Sequence, residues 1–185
     1  MNWDDSIELT PRQFEQEIKA MLQGTSAQLT AFEVKHAEKL QGTEGVYEID
    51  VTVRFQVIGA AFLILVECKQ QKNPVGREIV QILNDRVHST GAHKGMIFAT
   101  TTFQRGAIEY ARAHGIALVK IAEGESFYVT KGFDKPVEPP PWAEIPAYMG
   151  YFVSLTDSGN VQYRLISVRH PDALNEFLGF STPSP

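Results

Sequence analysis

The stretch Val46 to Val57 constrains this chain most. Its odd positions Ile49, Val51, Val53, Phe55 and Val57 are apolar, and the even positions Glu48, Asp50, Thr52, Arg54 and Gln56 are polar. A period of two predicts a strand buried on one face. After Ile58-Gly59 comes Ala60-Ala61-Phe62-Leu63-Ile64-Leu65-Val66, apolar without alternation, as expected of a central strand covered on both faces. That run stops abruptly at Glu67-Cys68-Lys69-Gln70-Gln71. A hairpin whose inner strand ends in charge must lead into a polar site or a polar surface.

Helical and strand signals surround this hairpin. Thr10 as N-cap and Pro11 at the first helical position start a helix whose Phe14, Ile18, Met21 and Leu22 form a buried stripe, and Gln23-Gly24 ends it. A first strand is expected around Ala31 to Lys35. Asn73-Pro74-Val75-Gly76 breaks the chain, and Arg77 to His88 then repeats apolar residues at Ile79, Val80, Leu83 and Val87 with helical spacing. Met96 to Ala99 predicts a short buried strand, Gln104 to His114 a second amphipathic helix, and Ile116 to Ile121 another strand. This order predicts an α/β fold of three layers, with a mixed central β-sheet flanked by helices. Beyond Gly132 the prolines 136, 139, 140, 141 and 146 predict a stiff linker. A small hairpin, Tyr151 to Leu155 and Val161 to Ser167, and a short helix from Asp172 to Leu178 follow it. The expected division is a catalytic domain over 1–132 and an extension over 133–185.

Composition narrows the function classes. With 185 residues, 43% hydrophobic and 21% charged, the chain suits one globular domain with a modest extension. The single cysteine, Cys68, rules out an intramolecular disulfide and a multi-cysteine zinc site, and fits a reducing compartment such as the cytoplasm. An acidic N-terminus and the lack of an apolar run near ~20 residues speak against export and membrane spanning. The net charge of −5 argues against coating nucleic acid by bulk electrostatics, so any DNA contact is expected to be local. From Lys69 to Lys94 five basic side chains (Lys69, Lys72, Arg77, Arg86, Lys94) face only two acidic ones (Glu78, Asp85).

The hairpin also suggests a constellation. If its turn is symmetric about Ile58-Gly59, Asp50 lies across from Glu67 with Cβ atoms ~5 Å apart. Lys69 joins Glu67 on the same face, and Cys68 points to the other. Two carboxylates this close repel unless something positive lies between them, and a divalent cation is the economical answer. Mg²⁺ takes one or two carboxylates and fills its other positions with water and phosphate oxygens, and the Cys68 carbonyl lies where it could add a ligand. Such a site suits phosphodiester hydrolysis, with Lys69 orienting or deprotonating water or neutralising developing charge. The same register allows a plainer reading, a cross-strand ion pair between Glu48 and Lys69 with Asp50 and Glu67 as polar strand ends.

Glu48-Ile49-Asp50 followed by Leu63-Ile64-Leu65-Val66-Glu67-Cys68-Lys69 resembles the PD-(D/E)xK nuclease superfamily, specifically its Mrr-like restriction endonuclease branch. The resemblance runs from about Leu9 to Ile121. It includes Leu9-Thr10-Pro11-Arg12-Gln13-Phe14-Glu15, and Gly95-Met96-Ile97-Phe98-Ala99-Thr100-Thr101 with Phe103 and Ala107. It implies a restriction-endonuclease-like fold and cleavage of double-stranded DNA dependent on Mg²⁺, with Mn²⁺ as a substitute. Asp50 and Glu67 would be the metal ligands and Lys69 the catalytic lysine. A glutamate of the first helix often completes the acidic cluster in that branch; Glu15 matches its position, with Glu17 as the competitor. Gln71 and Gln81 match polar positions near the family's active site. The chain departs from the pattern in having Glu48-Ile49-Asp50 where the family name has Pro-Asp, and the segment after Gly132 matches nothing in it.

Other polar residues have two readings each. Lys72, Arg77 and Arg86 are candidates to grip DNA phosphates, or are exposed charges. His36, His88, His93, His114 and His170 lack the spacing of a helical metal pair and read as surface or satisfied core residues. Cys68 reads as a small core residue, and Thr100-Thr101-Thr102 as a cap for the helix at Gln104. Three functions remain in view: a homodimeric restriction or defence endonuclease, a junction-resolvase-like repair or recombination nuclease acting on branched DNA, and a non-catalytic DNA-binding module of the same fold. Dimerisation follows from two-strand cutting and family habit, not from any residue.

Overall fold

In the computed structural model, the alternating segment is a strand with the expected bounds, Val46–Val57. The structure describes residues 7, 9–24, 30–57, 59–123, 147–166 and 177. In chain order the elements are α1 (Pro11–Gly24), β1 (Thr30–Gln41), β2 (Val46–Val57), β3 (Ala60–Lys69), α2 (Arg77–Thr90), β4 (Lys94–Ala99), α3 (Arg105–His114), β5 (Ile116–Glu123), β6 (Tyr148–Leu155) and β7 (Val161–Ile166). The seven strands form one mixed sheet in the order β1-β2-β3-β4-β5-β6-β7. β1, β2 and β3 are antiparallel, β3, β4 and β5 are parallel through the crossovers α2 and α3, and β6 and β7 return antiparallel.

Helices cover both faces of this sheet, as expected of a three-layer α/β fold. On one face Phe14, Ile18 and Leu22 of α1 pack with Val51, Val53, Phe55, Val66, Phe98 and Val119. On the other, Val80, Leu83 and Val87 of α2 and Ala107, Ile108 and Ala111 of α3 pack with Leu65, Ile97 and Leu118. The helix ends follow local chemistry. Thr10 and Gln13 form a reciprocal capping box: the Thr10 amide donates to Gln13 Oε1 at 2.9 Å and the Gln13 amide donates to Thr10 Oγ1 at 3.3 Å. Gly91 closes α2 in the left-handed conformation at φ 69°.

The β2–β3 register is the expected one, running from Val57 opposite Ala60 to Val51 opposite Val66. Gly59 turns the corner at φ 79°, which a side chain would resist. The pairing stops there, however, so Asp50 and Glu67 do not form the paired couple expected across the hairpin. Opposite this point in β1, Ala37 adopts a left-handed φ of 51°. The ribbon rolls over at that place. Val51 and Val53 belong to the α1-side core, whereas Ile49, two residues earlier, belongs to the α2-side core. Simple alternation had put all five apolar residues on one face.

Two further corrections concern the flanks. β1 extends well past Lys35, to Gln41, because its second half pairs with Val46–Thr52 of β2. Its inward positions there include His36 and Glu38, which left no apolar pattern to read. The expected C-terminal hairpin is present as β6–β7, and β6 adds to the sheet beside β5. The linker lies outside the described residues, as does the helix from Asp172 to Leu178 except for Phe177, whose ring meets Phe152 at 6.0 Å.

Candidate active site

The end of β3 and the roll in β2 bring charge together. Glu67 follows the buried Leu65 on the α2-side face and is itself 8% exposed. Lys69 Nζ donates to Glu67 Oε1 at 2.5 Å, as the shared parity of the two residues predicts. The ion pair with Glu48 is absent; Glu48 instead stands opposite Lys39 and is exposed. The second oxygen of Glu67 accepts from Arg86 Nη1 at 2.8 Å. Both oxygens of this acid are therefore held by cations.

Asp50 sits where the β2–β3 pairing ends, and its Oδ2 accepts the Cys68 backbone N–H at 2.7 Å. The side chain replaces the partner that the parting strands no longer supply. Burial pushes the Asp50 carboxyl up to about 6; the Cys68 N–H and the Lys69 charge oppose this, and the charges of Glu67 and Glu15 add to it. Burial also raises the Cys68 thiol well above its ordinary value, with Asp50, Glu15 and Glu67 contributing. A thiol so protected stays protonated, consistent with a packing role against the α1-side core.

Glu15 reaches the site from α1, two turns or less from its cap, and bonds the Nε2 of His36 on β1. Its charge acts on both Asp50 and Cys68, whereas Glu17 is exposed. Gln70, beyond Lys69, ties the approach to α1 to the strand end by donating to the carbonyls of Ile7 and Leu9. The rim is knitted by the loops after β3 and β4. The Thr100 amide donates to the Lys69 carbonyl at 3.1 Å, and the Gln71 amide donates to Thr100 Oγ1 at 3.3 Å. Thr101 Oγ1 donates to the Lys72 carbonyl at 3.4 Å. These threonines thus brace the loop after Lys69 rather than cap α3, whose N-cap is Gln104 without a side-chain cap bond.

The candidate DNA contacts lie around this rim. Gln71 donates through Nε2 to the Asn73 carbonyl at 2.7 Å, and Lys72 and Gln81 are exposed. The Arg77 guanidinium lies over the Tyr110 ring, 4.9 Å from its centroid. The structure thus brings Asp50, Glu67, Lys69 and Glu15 within electrostatic reach of one another, and among the described residues it shows no side-chain bond from Gln71, Lys72, Arg77 or Gln81 to these four.

Sequence reasoning offered Arg86 as a DNA-phosphate contact rather than as a partner of Glu67, and it did not assign His36 to the site. Arg86 stands three residues after the buried Leu83, at the margin of the stripe that seats α2, and His36 shares the inward parity of Val34. Those spacings were the available signals.

Among the described residues no set of three or more His, Cys, Asp or Glu side chains is gathered closely enough to hold a metal ion. The donor chemistry nevertheless suits a hard cation. Asp50 is a half-buried acid whose charge is opposed by two neighbouring acids, a repulsion that a divalent ion would relieve using one or two carboxylates and water. No described helix is long and apolar enough to cross a membrane.

Residues 7–124 match the model of the Mrr catalytic domain, described as a restriction endonuclease. No curated protein matches. Three chains of solved structures resemble this one, and two of them are the following. One is a protein of unknown function, AF1548, with 22% identity and TM-score 0.48 over 59% of this chain and 57% of that one. The other is the DNA modification-dependent restriction endonuclease AspBHI, with 16% identity and TM-score 0.41 over 64% of this chain and 35% of that one. The chain therefore spans little over half of the first and about a third of the second. The family match covers well over half of the 185 residues and contains the whole acid and lysine cluster, so the chain belongs to the Mrr-type restriction endonuclease family.

Proposed function

We propose that the chain cleaves the phosphodiester bonds of double-stranded DNA with the help of Mg²⁺, in restriction or defence, and works in the cytoplasm as a homodimer with one active site per strand. The observation that carries this reading is the meeting of the Lys69 ammonium and Glu67 at the end of β3 with Asp50, whose carboxyl is raised to about 6, at the point where the β2–β3 pairing stops. Residues 1–132 would form the catalytic body and 133–185 an extension of it.

In this reading Asp50 and Glu67 hold the cation, with the Cys68 carbonyl as a further oxygen and Glu15 completing the acidic cluster. When bound, the ion supplies an activated water and polarises the phosphoryl group. Lys69, already poised on Glu67, supplies positive charge to the reacting phosphate or holds the attacking water. Cys68 uses its N–H to fix Asp50 and takes no nucleophilic part. Gln71, Lys72, Arg77 and Gln81 would follow the DNA backbone along the rim. An acidic chain with a small basic rim predicts modest, salt-sensitive affinity.

The test is incubation with plasmid and with branched DNA, with Mg²⁺ and with chelator, beside Lys69→Ala. Cutting that needs the metal and vanishes in the variant supports the reading. Undiminished cutting by the variant removes Lys69 from the mechanism, and preference for the branched substrate replaces restriction with repair or recombination.

A further inference from the structure

Two cations hold one carboxylate at Glu67, and only one of them is accounted for by the chemistry proposed above. Lys69 takes Oε1 and Arg86 takes Oε2, at 2.5 and 2.8 Å. The flat array of donors on a guanidinium, with no acceptor, suits Arg86 to fixing a carboxylate in one orientation. Its platform is firm. Val80, Leu83 and Val87 bury α2 against the sheet, and Gly91 terminates the helix one turn beyond Arg86. The arginine thus leaves the margin of a docked helix and meets the acid at the end of the central strand.

We propose that Arg86 is a positioning residue of the active site: it pins Glu67 through Oε2, so that Oε1 stays turned to Lys69 and the acid keeps one orientation in the site where a cation would be held. The inference rests on the nuclease reading and adds a residue outside the Asp50, Glu67 and Lys69 motif. A direct grip on a DNA phosphate is the competing role, and the geometry disfavours it. The Arg86 side chain is only 27% exposed and its Nη1 is already committed to Glu67. Without Arg86, Glu67 regains rotamer freedom and Oε2 loses its donor, so the acid is correctly aimed for less of the time.

The experiment uses the full chain with Arg86→Gln and Arg86→Lys. Plasmid cleavage in Mg²⁺ gives kcat and KM at several salt concentrations, electron paramagnetic resonance follows Mn²⁺ binding without DNA, and thermal unfolding monitors the fold. Arg86→Gln should lower kcat and Mn²⁺ affinity by about 10–100-fold, as loss of an orienting partner does, with KM for DNA and its salt dependence unchanged. Arg86→Lys, which keeps the charge without the fork, should fall between the two and decides the matter if the glutamine variant does not fold. Wild-type kcat and Mn²⁺ affinity in the folded variants would overturn the inference. So would a raised KM with a salt slope reduced by about one, the mark of a lost phosphate contact. A wild-type chain that neither cuts DNA nor binds Mn²⁺ overturns the nuclease reading and this inference together; an active wild type with unaltered variants overturns this inference alone.

Discussion

Glu67 and Asp50 reach one site from neighbouring strands, but the protein compensates their charges unequally. Glu67 is met by two cations, Lys69 and Arg86. Asp50 accepts one hydrogen bond, the Cys68 backbone N–H, and feels the Lys69 charge, yet its carboxyl is pushed from an ordinary 3.8 up to about 6 by burial, with Glu67 and Glu15 adding to the rise. Charge is therefore closely balanced at the end of β3 and less fully balanced at the roll of β2. On the proposed reading, a cation bound there would gain most at Asp50, while Glu67 would keep Lys69 in place.

The contrast is open to direct challenge. The largest effect is expected on activity: Lys69→Ala should lower the rate of metal-dependent DNA cleavage by about 10²–10⁴-fold, read from plasmid nicking under single-turnover conditions. Retained activity would mean that the ammonium on Glu67 only balances charge. Next, Glu67→Ala should destabilise the metal-free protein by about 2 kcal/mol in urea unfolding. Breaking a fully buried pair costs roughly 3–5 kcal/mol, and the partly exposed cations here, at 28% and 27%, reduce the loss.

Asp50→Asn should act in the opposite direction. Because the folded Asp50 holds its proton up to about pH 6 while the unfolded one releases it near 3.8, stability falls as pH rises through that window and stays lower above it. Asparagine can still accept the Cys68 N–H and carries no charge. The variant should therefore melt about 2–4 °C higher than the wild type at pH 8 without metal, and the advantage should fade toward pH 4. A lower midpoint at pH 8 would show that Asp50 is no less compensated than Glu67. The smallest effect belongs to the support of Glu15: Thr10→Ala removes the hydroxyl half of the α1 capping box and should cost about 0.5 kcal/mol in the same unfolding assay.

Much of this site is legible along the chain because its main strands announce themselves locally. The period-two pattern of Val46–Val57, the unbroken apolar run after Gly59 and the sudden Glu67-Cys68-Lys69 place an acid and a lysine on one face without knowledge of any distant contact. The capping box at Thr10 and Gln13 and the left-handed Gly91 are local in the same sense. The paired couple of Asp50 and Glu67 is not recovered, because alternation assumes a straight ribbon and says nothing of the roll opposite Ala37.

Periodicity and turn chemistry act between residues a few positions apart, so the amino-acid order alone was enough for the β2–β3 hairpin, the parallel crossovers and the candidates Asp50, Glu67 and Lys69. The bond from Arg86 to Glu67 depends on how α2 docks on the sheet, and that from Glu15 to His36 depends on α1 meeting β1 from the opposite face. Packing also carried Ile49 into the α2-side core and attached β6 to β5. These are contacts between elements far apart along the chain, whose relative placement is set by the burial of whole faces rather than by any neighbour in the sequence.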